Sequence, residues 1–165
     1  MKLKLQILQE NDVNQSYLDW YQNEKVVRYS DNQYRSFSIE EQKRYVKNCL
    51  ASKDTDLFGI FDEDIHIGNI IINRLNSVHK WGEITYVVGN TDYWGKGVGF
   101  FAVSEIIIKA KKVYKLNKLC AGLAEGNIGS QRVLEKNGFK LEGRRLKQLV
   151  FGGQFYNQLD YGLLL

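Results

Sequence analysis

The stretch Asp92-Tyr-Trp-Gly-Lys-Gly-Val-Gly-Phe100 carries three glycines at alternate positions, with a lysine among them. Glu83–Val88 ahead of it is predicted to be a β-strand, and an apolar segment of helix length follows from about Val98 to Tyr114. Because glycine has no Cβ, such a run lets several backbone N–H groups point at one centre and lets a ligand approach closely. The following helix directs the positive end of its dipole at the same centre. A strand, a glycine turn and a helix N-terminus in this order indicate an anion-binding loop.

Two common phosphate-binding loops do not fit this spacing. A P-loop has four residues between its first glycine and a Gly-Lys-Ser/Thr sequence, and the stretch lacks that arrangement. The dinucleotide-binding fingerprint is G-x-G-x-x-G in a βαβ unit near the N-terminus. Here the spacing is G-x-G-x-G and the motif lies past the middle of the chain. A glycine turn before a helix is also a common structural connector, so the function depends on a second motif.

That second motif is Asn127-Ile-Gly-Ser-Gln-Arg-Val-Leu-Glu-Lys-Asn-Gly-Phe139, one helix and one strand further along the chain. Together the two stretches resemble the acyl-CoA-binding motifs of the GNAT superfamily of N-acetyltransferases. The first is similar to the family's Q/R-x-x-G-x-G/A loop as Trp94-Gly-Lys-Gly97-Val-Gly99, and the second to its N-x-x-S/A…K-x-G-F element. Tryptophan at the Q/R position is most similar to the RimJ/RimL-type branch. The resemblance covers nearly the whole chain, most strongly from about Ile65 onward.

The resemblance implies an α/β (α+β) GNAT fold in a single domain over residues 1–165. Its central mixed, mostly antiparallel twisted sheet should have about seven strands, flanked by about four helices. Local signals agree with this fold. Ser38-Ile-Glu-Glu41 is a capping box that begins a helix, and Asp12 is a candidate N-cap for a helix through Trp20. Asp62-Glu-Asp64 and Gly152-Gly153 are hairpin turns, the latter of type I′.

Acetyl-CoA is the co-substrate that the resemblance implies, and no metal is expected. The glycine loop would hold the pyrophosphate, the strand before it would offer backbone groups to the pantetheine arm, and Asn127 would hydrogen-bond that arm. Lys96 could contact the cofactor or could simply be a solvated loop lysine. Asn127 could likewise contact the cofactor or act only as a helix N-cap. The cofactor-binding candidates are Val87, Val88, Trp94, Gly95, Lys96, Gly97, Val98, Gly99, Asn127, Ser130 and Lys136.

Glu83 is the candidate general base, and Ser130 is a secondary catalytic candidate. A lysine-like amine has a pKa of about 10.4, so keeping it neutral near pH 7 costs roughly 4–5 kcal/mol unless a base assists. Glu83 lies at a place where RimJ/RimL-like relatives often carry an acidic residue that faces the acceptor, although a solvated strand-end glutamate is the alternative. The chain departs from the family at Leu134, where many members carry a general-acid tyrosine. Ser130, a water molecule or a nearby tyrosine would have to supply that proton, or the CoA thiol would need no donor.

The acceptor would lie over Gln22–Ser36, which is polar, aromatic and without a clear period. Its candidate binding residues are Arg28, Tyr29, Tyr34 and Tyr86, although an ordinary surface loop would look similar. A protein N-terminus fits the RimJ/RimL-type resemblance, a nucleotide amino-sugar fits the Trp20 to Tyr29 segment, and a polyamine such as spermidine fits the overall layout. A non-catalytic acyl-CoA-binding module, supported by Leu134, is the alternative to an enzyme.

Bulk composition narrows the class of protein further. Apolar residues make up 44% and charged residues 25% of the chain, as in soluble globular proteins. No apolar run has the length of a membrane span and no signal peptide is evident, so a cytoplasmic location without membrane contact is expected. The net charge of +4 is dispersed, which argues against a nucleic-acid partner. The expected partners are acetyl-CoA and an amine, and a monomer and a homodimer are both compatible with the sequence.

Cysteines and histidines offer no further chemistry. Cys49 and Cys120 lie in separate apolar segments without an activating neighbour in sequence, so neither a disulfide framework nor a covalent acyl-enzyme is expected. His66 and His79 have no Cys or His at ligand spacing, which argues against zinc. His66 is predicted to be exposed on a strand.

Overall fold

A seven-stranded sheet organises the computed structural model, which describes residues 1–76 and 78–165. The strands are β1 Leu3–Ile7, β2 Asp56–Asp62, β3 Ile65–Asn76, β4 Trp81–Val88, β5 Lys118–Ala124, β6 Lys140–Phe151 and β7 Gln154–Leu164. The α-helices are α1 Gln15–Gln22, α2 Glu24–Val27, α3 Ile39–Ala51, α4 Val98–Lys112 and α5 Ile128–Lys136. Short 3₁₀ turns cover Glu10–Asp12, Asp31–Tyr34 and Thr91–Tyr93.

The strand order is β1-β2-β3-β4-β5-β7-β6, and every neighbouring pair is antiparallel except β4 and β5. The expected mixed, mostly antiparallel sheet of about seven strands is therefore confirmed. The described residues hold five α-helices rather than about four, because the four-residue α2 follows α1 almost directly.

Helix starts follow from side-chain caps. Ser38 and Glu41 form the predicted capping box, with the Glu41 N–H 3.2 Å from the Ser38 Oγ and the Ser38 N–H 2.8 Å from a Glu41 carboxylate oxygen. The predicted cap at Asp12 is wrong. Asn14 caps α1 instead, accepting a 3.0 Å hydrogen bond from the Tyr17 N–H. Asp12 closes the preceding 3₁₀ turn by accepting from the Gln9 N–H at 2.7 Å.

Two apolar layers cover opposite faces of the sheet. Helices α4 and α5 pack on one face, where Ile84 and Leu119 meet Ile106 in a core of buried side chains. Helices α1 and α3 cover the other face near β1 to β3, with Tyr17 and Val46 fully buried there. Among the described helices even α4, at 15 residues, falls short of a membrane span.

The pairing of β4 with β5 stops after three residue pairs, Trp81 with Lys118, Gly82 with Leu119, and Glu83 with Cys120. Beyond Glu83 no pairing between these two strands is found in the described chain. The later part of β4 keeps its ladder with β3, and β5 keeps its ladder with β7. The sheet therefore has a wedge-shaped opening in its middle, at the end of β4 that leads into the glycine loop.

The β6–β7 hairpin is long and turns at Gly152 and Gly153, whose φ angles of 56° and 75° are those of the predicted type I′ turn. Its tip contacts the turn after α2. The Tyr34 hydroxyl donates to the Val150 carbonyl at 2.9 Å, and the Gly152 N–H donates to the Gln33 side-chain oxygen at 3.3 Å. The hairpin and the α1–α2 segment thus enclose one side of the molecule together.

Candidate active site

The glycine loop has the backbone geometry of an anion site. Gly95 and Gly97 have φ angles of 74° and 83°, in the left-handed region that favours glycine. A Cβ on either residue would meet nothing within 4 Å, so open space lies in front of the loop. Gly97 is the N-cap of α4, and the N–H groups of Val98 and Gly99 lie in the first turn, where a helix offers them no partner. Such N–H groups and the helix dipole suit a phosphate oxygen.

Gly99 serves helix packing as well. A Cβ at this position would lie 3.2 Å from a methyl group of Val133 on α5, and the residue is buried. The Asn137 side chain, just past the end of α5, donates to the Phe100 carbonyl at 3.3 Å. These contacts bring Lys136 at the C-terminal end of α5 close to the N-terminus of α4, so the two motifs meet in space.

The rim of the loop is tied to its neighbours. The Trp94 indole N–H donates to the Val88 carbonyl at 2.7 Å, which fixes the loop to the end of β4. The Lys96 ammonium lies 5.7 Å above the centre of the Tyr93 ring, in an exposed position. Val87 and Val88 border the wedge between β4 and β5, where the later part of β4 has lost its β5 partner.

Asn127 caps α5 by accepting a 3.2 Å hydrogen bond from the Ser130 N–H. The Ser130 carbonyl accepts a 3.1 Å hydrogen bond from the Tyr86 hydroxyl, which joins β4 to α5. Burial raises the pKa of Tyr86 to about 12. Tyr86 alternates with Glu83 and Thr85 along β4 and packs against the α4–α5 core, whereas we expected it to bind the acceptor.

Glu83 lies at the closed end of the wedge, in the last β4–β5 pair. It is half-buried, and its strand neighbour across β3 is Asn73, whose side-chain oxygen is buried without a hydrogen-bond partner among the described residues. Strand alternation puts Glu83 on the same face as the exposed Thr85, which is the face opposite α4 and α5. A carboxylate here could meet an acceptor that approaches from the α1–α2 side.

On that side, Arg28 and the hairpin line a cavity of about 880 Å³ between the α1–α2 segment and the β6–β7 tip. Tyr29 packs edge-on against Tyr156 and Phe151 of the hairpin, at centroid distances of 5.6 and 6.3 Å. Its hydroxyl lies 3.4 Å from the position of a Cβ on Gly126, next to Asn127. Tyr34, by contrast, is 60% exposed and links the walls through its bond to the hairpin.

The family model described as "Acetyltransferase (GNAT) domain" matches residues 2–140 of this chain. The chain belongs to the GNAT acetyltransferase family. It is 28% identical over 96% of its length, and 89% of the relative's length, to a ribosomal-protein-serine acetyltransferase of Escherichia coli. It is 29% identical, over 78% of the chain and 75% of the relative, to the uncharacterized N-acetyltransferase YnaD of Bacillus subtilis.

Solved structures of the family have the same fold. A spermidine N-acetyltransferase from Vibrio cholerae, in complex with CoA and spermine, aligns with a TM-score of 0.87 over 99% of this chain and 95% of its own, at 17% identity. RimL, a ribosomal L7/L12 α-N-protein acetyltransferase in complex with CoA, aligns with a TM-score of 0.88 over 100% of this chain and 95% of its own, at 18% identity. The expected family, fold and acyl-CoA-dependent acetyltransferase class are thereby confirmed.

Leu134 of this acetyltransferase is 1% exposed and is part of the core beneath α5. A leucine there cannot donate a proton to a leaving thiolate. Tyr86 is a poor substitute because its pKa is raised and its hydroxyl already bonds to Ser130. The Tyr29 hydroxyl also approaches this end of α5, since it lies 3.4 Å from the position of a Cβ on Gly126, two residues before the helix begins.

The prediction that His66 is exposed on its strand is wrong. Its ring stacks on Phe61 at 4.8 Å and meets Trp20 edge-on at 4.8 Å, and its Nε2 lies 2.7 Å from the Asn69 side-chain oxygen. Burial lowers the pKa of His66, so the neutral ring is favoured. Among the described residues no group of His, Cys, Asp and Glu side chains is arranged to hold a metal ion.

Sequence reasoning missed the contact between Trp20 and Gly89. A Cβ on Gly89 would fall 1.9 Å from the Trp20 ring, so α1 lies directly on the backbone between β4 and the glycine loop. It also missed the hairpin residues Phe151 and Tyr156 as partners of Tyr29. No local pattern in the sequence signals contacts between segments so far apart.

Proposed function

We propose that this acetyltransferase moves the acetyl group of acetyl-CoA directly to a primary amine, either a protein N-terminus or a small-molecule amine such as a nucleotide amino-sugar. The observation that carries the proposal is the wedge between β4 and β5, which leads from the open loop at Gly95 and Gly97 to Glu83. A pantetheine arm lying in the wedge would reach the closed end with its thioester, on the face that an acceptor can approach.

In the proposed reaction the loop N–H groups hold the pyrophosphate and the unpaired side of Val87 and Val88 holds the arm. Glu83 accepts a proton from the ammonium, directly or through water, and the neutral amine attacks the thioester carbonyl. As the new C–N bond forms and the C–S bond breaks, the nitrogen loses its second proton, which a water molecule relays to the leaving thiolate. A CoA thiol is acidic enough to leave without a dedicated donor, which is compatible with leucine at position 134.

Direct transfer is favoured over a covalent acyl-enzyme. Burial raises the pKa of both Cys49 and Cys120, so both thiols are protonated and poorly nucleophilic near pH 7. Two carboxylates of the β6–β7 hairpin are also already paired. Glu142 binds Lys118 at 2.6 Å and Asp160 binds Arg145 at 2.6 Å, which argues against a polyamine, the alternative acceptor.

Calorimetric titration with acetyl-CoA tests the proposal, and two glycine variants make it specific. Gly97→Val adds a β-branched side chain at a positive φ where open space faces the expected pyrophosphate. Gly153→Val is matched to it, because Gly153 also has a positive φ of 75° with no atom near its Cβ position, but it lies at the hairpin tip. We expect Gly97→Val alone to abolish binding. Equal affinity in the two variants would overturn the cofactor loop, and binding without thiol release from any amine would indicate a non-catalytic module.

We further propose a cytoplasmic homodimer that binds neither nucleic acid nor membrane. The dimer is supported by large apolar side chains left exposed on the β6–β7 hairpin, where Leu146 is 75% and Phe155 66% exposed. Light scattering on purified protein tests it. Phe155→Glu should give a monomer, whereas Ile108→Glu, on the exposed side of α4, should not. A monomeric wild-type protein would contradict the dimer.

A further inference from the structure

The cavity between the α1–α2 segment and the hairpin tip is basic. Lys25, Arg28 and Arg35 line its wall, against a single acidic lining residue, Glu24. None of the three basic side chains forms an ion pair within the described ranges 1–76 and 78–165. Their charges are therefore available to an anion that enters the cavity.

Both arginines are oriented by aromatic rings. The Arg28 guanidinium lies 5.2 Å from the centre of the Tyr29 ring, and that of Arg35 lies 5.2 Å from the centre of the Phe37 ring. A guanidinium that lies over an aromatic ring can keep its edge N–H groups for phosphate oxygens, which it binds in a bidentate manner. Two guanidinium groups held in this way on one wall suit a diphosphate better than a single charge.

The hairpin wall adds aromatic surface. Phe151 and Tyr156 line the cavity together with Tyr21, and the half-buried rings of Tyr156 and Tyr21 offer apolar surface against which a base or sugar ring can pack. The volume of about 880 Å³ lies in the range of small-ligand sites. Tyr29 connects the cavity to the acyl-transfer site, because it packs on both hairpin rings and its hydroxyl lies beside Gly126.

We propose that the acceptor amine is carried by a phosphate-bearing small molecule of the nucleotide-linked amino-sugar class, with its diphosphate bound by Arg28 and Arg35. This proposal rests on the proposed acetyl transfer, since it names the acceptor for that reaction. A polycation such as spermidine is disfavoured because three like charges line the cavity against the single carboxylate of Glu24. The aromatic wall favours a nucleotide over an acidic peptide, which would need charge but no stacking surface.

Titrations on protein saturated with acetyl-CoA test the assignment, because the saturated loop at Gly97 cannot then bind nucleotide phosphates. The probes are uridine diphosphate, adenosine diphosphate, inorganic pyrophosphate, spermidine and a glutamate-rich peptide with a free N-terminus. We expect a nucleoside diphosphate to bind more tightly than pyrophosphate, and spermidine and the peptide not to bind. Affinity should fall with added salt, since exposed charges are screened.

The double variant Arg28→Gln/Arg35→Gln should weaken nucleoside diphosphate binding by about tenfold or more, because two charge-assisted contacts are lost. Arg44→Gln, an exposed arginine on α3 outside the cavity, is the control and should change nothing. Acetyl-CoA affinity should stay the same in all of these variants. Absence of diphosphate binding, unchanged binding in the double variant, or binding of spermidine or peptide instead would overturn the phosphate-bearing acceptor.

Failure of this proposal is distinguishable from failure of acetyl transfer. In the Gly97→Val variant, nucleoside diphosphate should still bind at the cavity although acetyl-CoA does not. If acetyl-CoA binds and a phosphate-free amine is acetylated, but a nucleoside diphosphate binds wild type and the double variant equally, acetyl transfer stands and the acceptor assignment falls.

Discussion

The cofactor side and the acceptor side of this acetyltransferase are built from different parts of the chain. The cofactor side depends on backbone conformation within the 50 residues from Val87 to Lys136, with positive φ angles at Gly95 and Gly97 and an N-cap at Asn127. The acceptor side depends on side chains that meet across much of the sequence. Tyr34 and Val150 are 116 residues apart, and Gln33 and Gly152 are 119 residues apart.

From this difference we infer that the cofactor loop is the constant part of the site and that the acceptor side is the part that can vary. In the proposed site, backbone N–H groups would bind the pyrophosphate whatever the surrounding side chains are, so the loop would need only glycine at its left-handed positions. Side chains on the α1–α2 segment and the hairpin can change without altering that loop. In the proposed enzyme, acceptor choice would therefore be a property of the side chains that line the cavity, above all of their charge.

The largest effect should come from Glu83→Gln, which removes the proposed base at the point where the two sides meet. We expect kcat to fall by about 10²-fold or more, with an unchanged acetyl-CoA dissociation constant, because an amide cannot accept the proton. Thiol release and calorimetry measure the two quantities. Glu40→Gln, an exposed change of equal charge on α3, should leave both as they are. Unchanged turnover in Glu83→Gln would exclude Glu83 as the base.

Gly89→Ala should disturb the contact between α1 and the backbone that follows β4, and so lower the free energy of unfolding. The new methyl group would overlap the Trp20 ring, and overpacking of a well-packed core costs about 1–3 kcal/mol. Urea unfolding should show a lower midpoint. Gly129→Ala is the control, because it adds the same methyl group in the first turn of α5 with only one atom near 4 Å. An equal midpoint for Gly89→Ala and wild type would show that α1 does not rest on β4 as described.

Two substitutions at Asn127 separate its role as the N-cap of α5 from its expected contact with the pantetheine arm. Asn127→Ala removes the cap and should cost about 1 kcal/mol of stability. Asn127→Asp keeps the acceptor oxygen for the Ser130 N–H but loses the amide donor. We expect the Asp variant to unfold like wild type in urea and to bind acetyl-CoA more weakly. If the Asp variant binds acetyl-CoA with normal affinity, Asn127 serves only as the N-cap of α5 and does not contact the pantetheine arm.

Tyr34→Phe should have the smallest effect, confined to the acceptor side. It removes one exposed hydrogen bond to the Val150 carbonyl, which is worth about 0.5–1 kcal/mol. Amide hydrogen exchange should quicken at the hairpin tip while acetyl-CoA affinity stays constant. Faster amide hydrogen exchange at the N-terminus of α4 in this variant would show that the cofactor side and the acceptor side are not independent.

Much of the fold was predictable because its signals are local. The capping box at Ser38, the Gly152-Gly153 turn and the glycine loop each depend on residues within a few positions, and each has the expected geometry. The α1 start was misplaced because Asp12 and Asn14 are both residue types that favour caps, and the structure uses Asn14 as the cap and Asp12 to accept from the Gln9 N–H in the turn before it. The aromatic surroundings of His66 were not predictable, because Trp20 and Phe61 reach it from separate elements.

The candidate site divides in the same way. The glycine loop and the α5 cap could be predicted from spacing, whereas the position of Tyr86 on the core face depends on the exact register of β4. The basic cavity escaped prediction because Arg28 and Arg35 meet Phe151 and Tyr156 only after the hairpin folds back. The sequence showed the positive charges of the segment that carries Arg28 and Arg35. It did not show that the β6–β7 hairpin forms the opposite wall of the cavity.

Partial pairing of β4 with β5 also divides the sheet into two hydrogen-bonded units, β1 to β4 and β5 with β7 and β6. Three residue pairs and the α4–α5 layer join these units. Without ligand we expect two classes of amide protection, because each ladder can open without the other. Acetyl-CoA bound in the gap should merge them into one class, since a ligand that binds only the closed form stabilises it. The co-substrate would then occupy the place of a strand between β4 and β5. Each turnover would close this gap when acetyl-CoA binds and open it again when CoA leaves.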